Sequence, residues 1–93
     1  MVVSIEENLK EALKILQGSR AKEYGDKKTN HENIAHLWSA YLEHNVSAHD
    51  VAMLMLLLKV ARTKSPNPTR DTYIDMVGYS AIAGELLDDK SKQ

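Results

Sequence analysis

At 93 residues the chain has room for one domain, and a core of this size is marginal unless it packs tightly or is shared with a second copy. The absence of cysteine excludes disulfides and thiolate metal centres. With 12 basic against 13 acidic residues and a net charge of -1, there is no basic excess of the kind that phosphate-backbone binding uses. Nucleic acid is therefore disfavoured as a partner, although Lys22, Lys27 and Lys28 form a modest basic group.

The start, Met1-Val2-Val3-Ser4, has neither a basic region nor a long apolar run, so no signal peptide is expected. The longest apolar run, Val51 to Leu58, is too short to span a bilayer, and the expected location is the cytoplasm. In chain order, Ser4-Ile5-Glu6-Glu7 reads as a capping box. Behind it, Ile5, Leu9, Ala12, Leu13 and Leu16 form an apolar stripe at helical spacing. Gly18 is not a clear stop, and the spacing predicts that this helix runs on through Arg20 and Glu23 to Gly25.

Thr29-Asn30-His31-Glu32 is a second capping box. Ile34, Leu37, Trp38, Tyr41 and Leu42 line one face of the helix it opens, and Glu32, His36, Ser39 and Glu43 line the other. Ser47-Ala48-His49-Asp50 opens a third helix, apolar nearly all round from Val51 to Ala61 and interrupted only by Lys59. Such a helix is expected to be buried on most sides, as the centre of a bundle. Pro66 and Pro68 break the chain, and Thr69 opens a last helix from about Arg70 to Leu87. The predicted architecture is all-α: a four-helix, bundle-like single domain over 1–93, ordered over about 4–87, with a polar tail at 88–93. The short connections predict that sequential helices pack as antiparallel neighbours, and the size predicts a homodimer or higher homo-oligomer.

On a helical wheel, Asp71, Asp75, Gly78, Ile82 and Glu85 share one sector of the last helix, flanked by apolar residues. Two carboxylates four residues apart repel unless something neutralises them. One candidate is Mg²⁺, a hard cation that takes carboxylate and phosphate oxygens. The other is the pair Lys59 and Arg62 on the preceding helix, which would make the charges internal ion pairs. Arg20, Glu23, Tyr24, Gly25, Asp26 and Asn30 gather at the first connection, either as one wall of a ligand pocket or as ordinary turn and cap residues. The four histidines, His31, His36, His44 and His49, lack the spacing of a zinc site. No phosphate loop or nucleophile elbow is present in the sequence, so any chemistry would be metal-assisted.

These strings resemble a small phage and prophage family: Lys22 to Asp26, Asn30, Ile34 to Leu42, Asp50 to Ala52, Leu58 to Arg62, and Asp71 to Asp75 leading to Gly78-Tyr79. If the chain is phage-encoded, the location becomes the host cytoplasm. More distantly, the chain is similar to the MazG-like all-α nucleoside triphosphate pyrophosphohydrolases, with Asp75 in the place of the last acidic residue of their second motif. That resemblance implies an oligomeric nucleotide-binding domain, cleaving nucleoside triphosphates to monophosphate and pyrophosphate. It implies Mg²⁺ held by Asp71, Asp75, Glu85 and Asp50, with Asp71, Asp75 and Lys59 catalytic. Arg62 would grip phosphate, Tyr24 or Trp38 would stack on the base, and Arg20 and Asn30 would line the pocket. The match departs from the motif in two places: Thr72 stands three before Asp75, and the preceding helix has no E-E-x-x-E run. The alternative is a non-catalytic phage-type protein that binds a host protein, its charged core residues being structural.

Overall fold

The computed structural model describes residues 4–18, 27–67 and 69–87. These form four helices: α1 Ile5–Gln17, α2 Lys27–Leu42, α3 Ala48–Arg62 and α4 Arg70–Glu85, with no strand among the described residues. The all-helical expectation holds.

Local chemistry explains most of the boundaries. Glu7 N–H donates to Ser4 Oγ at 3.1 Å, which caps α1. Ser47 and Asp50 make a full reciprocal box at the start of α3: Asp50 N–H donates to Ser47 Oγ and Ser47 N–H to an Asp50 carboxylate oxygen, each at 3.0 Å. Thr69 sits at the cap of α4 in an extended conformation without a capping bond from its side chain. At the end of α2, Glu43 takes φ 53°, and His44 N–H reaches back to Ser39 C=O at 3.2 Å. That is the left-handed helix stop in which the amide two past the cap bonds the third carbonyl back. Ser39 Oγ then accepts from Val46 N–H at 2.8 Å and donates to Val46 C=O at 3.1 Å, tying the α2–α3 connection.

Two boundaries differ from expectation. The regular turns of α1 end at Gln17, where Gly18 N–H donates to Ile15 C=O. A Cβ on Gly18 would stand 2.9 Å from Lys14 C=O, so the chain passes there only because glycine has none. The continuation toward Gly25 lies outside the described residues. The second correction is that α2 begins at Lys27, so Thr29 is inside the helix and not at its cap.

The helices pack as α1 on α4, α4 on α3 and α3 on α2, with the α3–α4 interface the most extensive. Ala48 and Ala52, early in α3, cluster with Ile82, Ala83 and Leu86 at the end of α4, so this pair is antiparallel. Ala35, Val46 and Val51 form a second cluster with Ile34, Trp38 and Met55, and α2 and α3 are antiparallel too. Helix α1 breaks the alternation. Arg70 Nε–H donates to Asn8 Oδ1 at 3.2 Å, while Leu16 lies nearest Gly78, so α1 and α4 run in the same sense. Sequential helices therefore pack antiparallel from α2 onward, but α1 joins α4 and not α2. Among the described residues the main contacts form a row, α1–α4–α3–α2.

The core is alanine-rich. Ala12, Ala35, Ala48, Ala52 and Ala83 are buried, and Ile74, Leu86 and Val51 are the largest fully buried side chains. Small residues bring α3 and α4 close, but they bury little area each. The expectation that α3 is covered on most sides is corrected. Its inner face is sealed by α2 and α4, while Leu54, Leu57 and Leu58 on its outer face are exposed. Leu37 and Tyr41 of α2 and Leu9 and Leu13 of α1 are exposed as well, because a row of helices covers only one side of each apolar stripe. Among the described residues, no helix is long and apolar enough to cross a membrane.

Candidate functional site: a cavity walled by all four helices

Residues of all four helices line a cavity of about 380 Å³. Its apolar wall comes from Ala12, Ile15 and Leu16 of α1 and from Ile74 and Ile82 of α4. Its polar wall is Lys27, Asn30 and His31 from the start of α2, Lys59 from α3, and Asp75 and Tyr79 from α4. Helical spacing explains the α4 contribution. Asp75, Gly78, Tyr79 and Ile82 fall three or four apart on one face, and Gly78 leaves the floor open for lack of a side chain.

The central charge pair is Lys59 Nζ to Asp75 Oδ2 at 3.1 Å, with the side chains 18% and 35% exposed. Lys59 sits on the inner face of α3 in register with Ala48, Ala52 and Met55, so its charge enters an otherwise apolar interface. The pairing with Asp75 is the ion-pair alternative drawn from the sequence, realised for one lysine and one aspartate. Arg62 and Asp71 are exposed, and neither lines the cavity.

His31 is the residue that sequence reasoning passed over. It is 3% exposed, and Nδ1 lies 2.8 Å from Lys27 C=O. A carbonyl only accepts, so Nδ1 carries the proton in this contact. Among the described residues Nε2 meets no hydrogen-bond partner, although it is buried. Tyr79 contacts the ring edge-on, with centroids 6.4 Å apart. The available signal was His31 at the opening of a helix whose apolar stripe it borders. The misplaced start of α2 concealed it by putting His31 in a capping box.

The other expected site residues scatter. Asp50 is used in the α3 capping box, nine residues from Lys59 and so about 13 Å away along the helix. Glu85 is ten residues from Asp75, about 15 Å along α4. Of the four carboxylates expected to hold Mg²⁺, only Asp75 lines the cavity, and no group of three His, Asp or Glu able to hold a metal occurs among the described residues. Helix length separates these groups, which a wheel projects onto one sector. Trp38 packs in the α2–α3 cluster with Ala35, Val46 and Val51, away from the cavity lining. Asn30 does line the cavity. Arg20 and Tyr24 lie outside the described residues, as do Glu23, Gly25 and Asp26.

Gly78 gives a direct handle on the cavity. A Cβ there would lie 4.0 Å from Leu16 Cδ2, an ordinary contact, and alanine is favoured over glycine in a helix by about 1 kcal/mol. Gly78→Ala should raise stability by about that amount and narrow the cavity. Gly84→Ala, where a Cβ meets nothing within 4 Å, should stabilise similarly without touching it. Urea unfolding of both variants, beside ligand titration, separates the two effects. Loss of stability in Gly78→Ala would mean that the floor is already filled.

Four helices around an amphipathic cavity make this a small all-helical domain. The sequence comparisons give its family. The model of DUF6378, a domain of unknown function, matches residues 7–87, and the chain belongs to that family. It is 41% identical over 81 residues to the "Gene 55 protein" of Mycobacterium phage D29, covering 87% of this chain and 54% of that protein. It is 44% identical over 76 residues to the "Gene 55 protein" of Mycobacterium phage L5, covering 81% and 49%. The chain thus spans about half the length of the curated relatives it matches. The phage-family resemblance holds, while nothing in these matches supports the MazG-like one. No solved structure matches the chain.

Proposed function

We propose that this domain binds a nucleoside or mononucleotide in the four-helix cavity, acting in the host cytoplasm as a phage-type protein. The observation that carries the reading is the mixed lining of the cavity, in which His31, its Nε2 buried without a hydrogen-bond partner among the described residues, stands with the Lys59–Asp75 pair. A base edge alternates donors and acceptors. Asp75 and His31 supply acceptors for it, and Lys59 and Asn30 supply donors. The apolar wall of Ile15, Leu16 and Ile82 suits a flat ring, and Lys27 adds a cation for a phosphate. At about 380 Å³ the volume falls in the small-molecule range. Mg²⁺-dependent hydrolysis is the finer form of this reading. With Asp75 as the one cavity carboxylate among the described residues, a metal would rest mainly on the ligand's own phosphates and water.

The test is an amide NMR titration with nucleosides, their monophosphates and triphosphates, with and without Mg²⁺, paired with a pyrophosphate-release assay. Shifts should map to residues 12–16, 27–31 and 74–82. His31→Phe should weaken binding about tenfold or more, since it leaves a ligand donor unpaired. An unresponsive cavity across the whole panel would overturn the reading. A second reading, the non-catalytic protein that binds a host protein, is favoured by the exposed Leu37 and Tyr41 of α2. Under it, host-protein binding would persist in His31→Phe.

A further inference from the structure

We propose that the outer face of α3 is a homodimer interface, formed by antiparallel packing of α3 against the α3 of a second copy. At 100° per residue, Met53, Leu54, Leu57, Leu58, Val60 and Ala61 cover about 160° of the helix, opposite the inner line of Ala48, Ala52, Met55 and Lys59. The five large side chains of this outer face are 37 to 56% exposed. Because α2 and α4 flank α3 on either side, the patch sits in the middle of the helix row and not at its rim.

Two observations select a second copy as the occupant. First, no ionisable residue lies between Asp50 and Lys59, and Lys59 turns inward to Asp75. A twofold contact therefore lays Leu54, Leu57 and Leu58 across their counterparts without opposing like charges. Second, α3 is acidic in its first turn, at Asp50, and basic in its last, at Arg62. A twofold axis near residue 56 sets the acidic end of each copy beside the basic end of the other and aligns the helix dipoles favourably. A standard interface takes about 800 Å² from each partner, so these five side chains would form its centre and the flanking helices its remainder.

The experiment is sedimentation equilibrium of the full chain at roughly 1 to 200 µM, concentrations that bracket typical weak dimers. The expected mass is twice the 10.5 kDa of the chain. Leu57→Glu and Leu57→Lys should each run as single chains with unchanged far-UV helicity, and an equimolar mixture of the two should recover the dimer. Leu13→Glu, on α1, should leave the dimer intact. A wild-type single chain at the highest concentration would overturn the proposal. So would a dimer that survives Leu57→Glu, one lost in Leu13→Glu, or variants that do not pair on mixing. Leu57 lies outside the cavity lining, so this result stands apart from the ligand titration.

Discussion

Leu86→Ala is expected to lower the stability of the domain by about 3 kcal/mol, within the range measured for buried leucine truncations. Leu86 is 2% exposed and closes the end of α4 against Ala48, Ala52, Ile82 and Ala83. Three of the buried residues in its cluster are alanines, which have no longer side chain to swing into the space, so most of the cavity left behind stays open. Leu86 is also among the few large side chains that are fully buried. Domains of this size have only about 5 to 15 kcal/mol to lose. Urea unfolding followed by circular dichroism measures the change. A loss below about 1 kcal/mol would show that α3 and α4 collapse onto the vacancy, and that the alanine interface is softer than its burial indicates.

Breaking the Lys59–Asp75 pair should give the second large effect. Lys59→Met leaves a carboxylate with reduced access to water, and Asp75→Asn leaves an ammonium that is mostly buried. Each is expected to cost about 1 to 2 kcal/mol, below the figure for a fully buried pair because Asp75 retains contact with solvent. The double variant should be milder than the sum of the two by about 1 kcal/mol, since it removes both charges together. The coupling should fall only modestly with added salt, as a partly buried pair is screened less than a surface one. Unfolding of all four proteins at low and high ionic strength tests this. Strict additivity would make the 3.1 Å contact energetically idle.

Several elements are legible in the sequence. The Ser47–Asp50 box opens α3 as its spacing requires, because capping is a four-residue interaction that the chain carries within itself. The break at Pro66 and the start of α4 after Thr69 are local for the same reason. Lys59 and Asp75 were picked out as charges on apolar faces and meet as candidates for one another. A wheel gathers Asp71, Asp75 and Glu85 on one sector of α4. It projects α4 onto a circle and discards the rise along the axis, so Glu85 seemed a neighbour of Asp75 although about ten residues of helix separate them. Trp38, on the apolar stripe of α2, packs into the core as that stripe requires, and what the sequence does not say is which helix covers it.

What the sequence by itself determined is therefore the set of interactions with short reach: four helices, their caps, their apolar stripes and the two charges that α3 and α4 carry inward. Only the tertiary structure decided that α1 packs parallel on α4, because the order of helices around a core depends on which faces fit together across long separations. That choice opens the cavity, brings Lys27, Asn30 and His31 to Asp75, and leaves the back of α3 bare. An apolar stripe states that a helix must be covered, and the packing of the whole chain states by what.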